Sequence, residues 1–133
     1  ENTEYLLSSS HGFSIPGGAT INGVVAEIEK SSSVAATVQD QEVKLAKAGI
    51  ISGTNEAEIG VDWGTTDSYI TYGTSSDLWG QAWTSTDINA AGFGVALSAV
   101  STPGGTVRVD HVRLTVYYTA EGIRMLASSM AGT

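Results

Sequence analysis

The sequence has no cysteine, two prolines, two histidines and only six lysines and arginines among 133 residues. Without cysteine there is no disulfide framework, no thiolate zinc site and no thiol nucleophile. Six scattered cations against fourteen aspartates and glutamates leave a formal charge of -8. That balance repels a phosphate backbone and an anionic membrane surface, so neither nucleic acid nor a membrane is an expected partner. No run of about 18 apolar residues occurs, and no basic-then-apolar leader pattern opens the chain. Charged residues are only 15% of the chain, while glycine occurs 16 times alongside abundant serine and threonine. Low charge with frequent turn formers describes a β-rich structural module, and the length suits one domain with one core.

Alternation of period two is the dominant signal. In Thr20 to Ser31, Val24, Ala26 and Ile28 alternate with Val25, Glu27 and Glu29, giving an apolar face and an acidic face. Glu4 to Ile15 reads as a preceding strand closed by Pro16-Gly17-Gly18, so the two are expected to form a hairpin. Ser31 to Asp40 is polar and breaks the pattern, and Glu42 to Ala48 resumes it. Short β-prone runs follow at Ile50-Ile51, Ile59-Val61-Trp63 and Ser68 to Tyr72. Thr84 with Asp87 three residues on predicts a capped helix of one or two turns. Gly92 to Val100 sets Phe93, Val95, Leu97 and Ala99 on one face, and Thr106 to Thr119 forms the longest strand. In that strand Val107 and Val109 are out of phase with Val112, Leu114, Val116 and Tyr118. A β-bulge near Asp110-His111, or a strand serving two packing surfaces, accounts for the switch.

About seven short strands separated by turns predict an all-β fold, an antiparallel β-sandwich of jelly-roll or Greek-key type. One short helix and a C-terminal arm complete it, with residues 1–119 as the domain and 120–133 as a tail or docking arm. Ile123, Leu126 and Met130 fall at helical spacings of three and four in that arm. Together with Tyr5 near the other end, they are the candidate interface residues.

Catalytic signals are lacking. No nucleophile-elbow, zincin, phosphate-loop or dinucleotide motif occurs. Consecutive strand residues point to opposite faces, so Asp110 cannot orient His111 without a bulge, and His11 and His111 are read as structural. Glu27 and Glu29, about 6–7 Å apart on one strand face, could in principle form a glycosidase pair. Their alternation with valine and isoleucine favours a solvated face, with Lys30 and Lys44 as cross-strand partners. Asp62, Asp67, Asp77 and Asp87 sit by glycine- and serine-rich loops but lack calcium-loop spacing. We therefore expect no catalytic residue, no metal and no cofactor. Five of the ten aromatic residues, Trp63, Tyr69, Tyr72, Trp79 and Trp83, fall between positions 63 and 83. Such a cluster can stack on sugar rings, cap a sandwich core, or lie buried between subunits.

Read in order, the blocks Gly12-Phe13-Ser14-Ile15-Pro16, Ala19-Thr20-Ile21-Asn22-Gly23, Glu27-Ile28-Glu29, Asp77-Leu78-Trp79-Gly80, Asp87-Ile88-Asn89, Phe93-Gly94-Val95 and Val109 to Tyr118 carry a resemblance. Over residues 5 to 119 the chain resembles a β-sandwich domain of tailed-phage virion proteins and prophage reading frames. The resemblance implies a non-enzymatic structural protein of the virion, foremost a capsid decoration or cement protein that stabilises subunit junctions. Its implied partners are the major capsid protein or other virion proteins, and further copies of itself, with a trimer as the expected assembly. Carbohydrate binding or adhesion, on a tail fibre or a bacterial surface, is the alternative. Relatives commonly carry more sequence ahead of the block that opens at Tyr5, which implies an edge strand that is either missing or supplied by another subunit.

Overall fold

The computed structural model describes the backbone of residues 3–120 and 123–132, and the side chains of residues 3–120. Eight strands and one short helix follow in chain order: β1 Leu6–Ser9, β2 Thr20–Ser32, β3 Val38–Lys47, β4 Ile50–Ser52, β5 Ser68–Gly73, α1 Ser85–Asn89, β6 Gly94–Ser101, β7 Val107–Ala120 and β8 Ile123–Gly132. They form two antiparallel four-stranded sheets with strand orders β1-β6-β3-β4 and β5-β2-β7-β8. The expected antiparallel β-sandwich is the fold found. Its core lies between the sheets, with Val24, Ala26, Ile28, Val112, Leu114 and Val116 meeting Val43, Leu45, Val95 and Leu97. All ten are buried, the inward half of each alternating strand.

Three register shifts keep that inward face continuous. Between Glu29 and Lys30 of β2, the partner on β7 jumps from His111 to Val109, leaving Asp110 as the extra residue. This bulge resolves the phase change in the longest strand. Val107 and Val109 before it pack against the same core as Val112 and Leu114 after it, so no second packing surface is required. A second shift lies between Ile21 and Gly23, and a third between Asp40 and Glu42 of β3. The third turns both Asp40 and Val43 inward.

Several boundaries differ from the sequence reading. The first strand is short, ending at Ser9, because Ser10 and Gly12 adopt positive φ and turn the chain inward. It pairs with β6 in the opposite sheet rather than forming a hairpin with β2. Phe13 and Ile15 beyond it plug the core instead of extending the strand. The polar stretch from Ser31 to Asp40 is half strand: β2 runs to Ser32 and β3 starts at Val38, which confines the turn to residues 33–37. The run Ile59 to Trp63 forms only an isolated bridge, Gln39 to Asp62. Segment 123–132 is not a helix; it pairs antiparallel with β7 from Ala120↔Ile123 to His111↔Gly132. Sheet pairing with a ready neighbour overrides a helical stripe of three residues.

The helix is capped as the sequence predicts. The Thr84 side chain accepts from the Asp87 amide at 3.2 Å, and the Asp87 carboxylate accepts from the Thr84 amide at 3.0 Å. Ahead of it, Trp79 is fully buried with φ +56, a left-handed conformation that a bulky residue adopts only where its surroundings enforce it. Its indole donates to the Val24 carbonyl at 2.8 Å. Gly73 makes room for this contact: a Cβ there would lie 2.4 Å from the Val24 oxygen and 2.7 Å from the Trp79 indole nitrogen.

Candidate functional site

Strand β1 is a sheet edge that carries exposed apolar side chains. Among the described residues it pairs only with β6, so its other side leaves backbone groups open to a partner. Tyr5, Leu6 and Leu7 in and beside it are exposed large apolar residues. The Tyr5 hydroxyl reaches Glu42. Beneath this edge a groove of about 330 Å³ is lined by Leu6, Leu97, Ala99, Val107 and Val109, with Thr3 and Glu4 at its polar end. Its walls come from both sheets, so it is the open flank of the sandwich. Exposed apolar side chains grouped at an unpaired edge suit contact with another protein surface.

A second constellation is polar and buried. Lys30, on the inward face of β2, places its ammonium 2.7 Å from Asp40 Oδ1 on β3. The Tyr72 hydroxyl accepts from Lys30 at 2.5 Å and donates to Asp40 Oδ2 at 2.7 Å. Trp63 Nε1 donates to Oδ1 at 2.8 Å, and the Glu58 amide donates to Oδ2 at 3.0 Å. The ammonium also sits 4.7 Å from the Trp63 ring centre. Side-chain exposure is 4% for Lys30 and 0% for Asp40. Burial, together with the negative charges of Asp40 and Glu58, pushes the Tyr72 hydroxyl far above its ordinary pKa, so it stays protonated. The expectation that Lys30 partners Glu27 or Glu29 is therefore corrected. Lys30 is in phase with Val24, Ala26 and Ile28, so its direction was set by the strand period. The same count was the available signal for finding this cluster.

The outward carboxylates of β2 are held across the strand pair. Glu27 accepts from Arg113 at 3.2 Å, and Glu29 meets His111 Nδ1 at 3.1 Å. Lys44 instead lies 3.5 Å from Glu42. The bulge brings Asp110 to the same patch, so that ligand atoms of Glu29, Asp110 and His111 lie within 4.8 Å of one another. All three are at least partly exposed, and we assign the triplet no metal. His11, half-buried, bonds Ser8 Oγ at 3.0 Å and stacks on Phe13. Burial holds its imidazole below the ordinary value, partly offset by a hydrogen bond to the Ser8 backbone.

Of the aromatic candidates, Trp63, Tyr72, Trp79 and Trp83 are buried in the core. They have no free ring face for a sugar or for another subunit. Tyr69 is half-buried beneath Arg113, whose guanidinium carbon lies 3.9 Å from its ring centre. Three of the four loop aspartates have local structural partners: Asp62 accepts from Gln39 Nε2 across the isolated bridge, Asp77 from the Trp79 amide in a turn, and Asp87 from the Thr84 amide in the helix cap. Tyr5 is exposed at the β1 edge. The side chains of Ile123, Leu126 and Met130 lie outside the described residues.

Comparison of the chain with family models, curated proteins and solved structures returned no match.

Proposed function

We propose that this chain is a non-enzymatic structural subunit of a tailed-phage particle, acting as a capsid decoration or cement protein. The observation that carries the reading is the β1 edge. Tyr5, Leu6 and Leu7 are exposed beside an apolar groove in an otherwise acidic, weakly charged chain. At about 25 cal/mol per Å² of apolar surface, covering such an edge stabilises a junction by several kcal/mol. The resemblance of the sequence blocks to virion sandwich domains supports a capsid junction as the place of contact. The formal charge of -8 suits a basic patch on a capsid shell and keeps the free subunit soluble. The adhesive alternative needs exposed rings, and four of its five aromatic candidates are buried.

Sedimentation of the purified chain with expanded capsid shells of the phage or prophage that encodes it tests this. Co-sedimentation at a fixed copy number per shell is expected, and a Leu6→Ser/Leu7→Ser variant that folds should lose it at least tenfold. Failure of the unaltered chain to bind procapsid and expanded shell alike overturns the reading.

A further inference from the structure

The buried cluster bridges the two sheets, since Lys30 and Tyr72 belong to one and Asp40 to the other. Three physical features of it converge on one chemistry. The nucleophile and its target carboxyl are in contact, 2.7 Å apart, and held there by rigid strands, which replaces the encounter of two groups by a fixed geometry. Both are nearly inaccessible, and a buried ion pair carries a desolvation penalty that conversion into one neutral group removes. Finally, the two carboxyl oxygens are differently held. Oδ2 accepts from the Tyr72 hydroxyl and the Glu58 amide, while Oδ1 faces Lys30 and the Trp63 indole.

We propose that Lys30 and Asp40 condense to an intramolecular isopeptide bond that ties β2 to β3 across the sandwich. A proton passes from Lys30 Nζ to Asp40 Oδ1, leaving a neutral amine beside a neutral carboxylic acid. Nζ attacks Cγ, forming the N–C bond, and the developing negative charge settles on Oδ2, where two donors already point. A second proton then moves from Nζ to Oδ1, the Cγ–Oδ1 bond breaks, and one water leaves. Of the three protons on the ammonium, two depart with Oδ1 and one stays on the amide. No oxidant, reductant or cofactor enters the balance. Tyr72, kept protonated by its surroundings, is the positioning and oxyanion donor. The Trp63 and Tyr72 rings flank Nζ at 4.7 and 5.2 Å and limit the water that could reverse the step. A small cavity of about 50 Å³ lined by Lys30, Trp63 and the exposed Glu58 gives the departing water room and a way out. The linkage needs no partner protein and does not rest on the virion reading.

Mass spectrometry of the full chain decides it. The folded protein is expected to be lighter than its sequence by one water, and its digest should contain a branched peptide joining the segments around Lys30 and Asp40. Lys30→Arg keeps the charge without an amine that can condense, and should carry its full mass. Asp40→Asn should lose ammonia instead of water. Tyr72→Phe, nearly isosteric, should fold and accumulate the linked form at least tenfold more slowly. A folded wild-type chain that keeps its full sequence mass after prolonged incubation, with no branched peptide, overturns the proposal whether or not the variants fold.

Discussion

Strand β2 carries ionisable side chains on both faces, and the two faces treat them in opposite ways. Outward, Glu27 and Glu29 find Arg113 and His111 on β7, in register and within reach of water. Inward, Lys30 is removed from water, and its partner Asp40 comes from the other sheet with every carboxylate oxygen saturated by donors. Two residues of the same strand, Glu29 and Lys30, thus differ by a one-residue step in direction and by nearly the whole range of electrostatic environments. The outward pairs trim the register of the sheet. The inward pair, unable to be satisfied by solvent, requires one arrangement of β2, β3, β5 and the loop that carries Trp63.

Breaking the inward pair should have the largest effect. Lys30→Met keeps much of the side-chain volume but leaves Asp40 as a buried carboxylate without its cation, and the expected loss relative to the unlinked wild-type chain is about 3–5 kcal/mol, to which a covalent linkage in the wild type would add. Urea unfolding followed by tryptophan fluorescence measures it, since Trp63 touches the site. A loss below about 1 kcal/mol would mean that the inward and outward pairs are energetically alike, and the contrast drawn between them would fail.

An intermediate case is Glu56, in the loop after β4, whose carboxyl is held up to about 7 from an ordinary 4.5 by burial, by a hydrogen bond to Asp77 and by the Asp77 charge. Asp77 is itself engaged by the Trp79 amide at 2.8 Å, so the pair abuts the most buried tryptophan. A carboxyl whose pKa rises on folding binds its proton more tightly in the native state. Stability from this group is therefore full below pH 4.5 and declines as the pH rises to about 7. Glu56→Gln should flatten that decline in a series of urea midpoints between those values. An unchanged slope in the variant would assign the pH dependence elsewhere.

Much of the fold was legible because it follows from period two and turn chemistry. The faces of β2, β6 and β7, the Pro16 turn, the Thr84 cap and the bulge at Asp110 all come from local sequence. What local sequence does not carry is pairing between distant segments. Nothing near Leu6 says that its partner is Leu97 rather than β2, and nothing near Ile123 says that a free edge of β7 awaits it. The site divides along the same line. Tyr5 could be singled out as a surface residue from its position near the end of the domain, whereas the aromatic cluster could be placed in the core only once Val24, Asp40 and Leu78 were known to supply acceptors for its indoles. Lys30 was half legible: its phase declared it inward, but its counter-ion lay beyond a turn and in the other sheet.

The outward pairs should give the smallest effect, and its size tests whether register or charge holds them. Arg113 is about one-third exposed, spans Glu27 across the strand and covers the Tyr69 ring. Arg113→Ala removes an exposed ion pair, worth about 0.2–1 kcal/mol, together with a cation–π contact of about 0.5–1 kcal/mol. Only the first part should fade with salt, because screening acts on separated surface charges more than on a cation held against a ring. Arg113→Lys keeps the charge but gives up the planar face, so it should retain the salt-sensitive share and lose part of the other. Urea midpoints of wild type and both variants at low and high salt separate the two contributions. If Arg113→Ala instead costs as much as Lys30→Met, the outward face is as binding on the fold as the core, and exposure is not what distinguishes them.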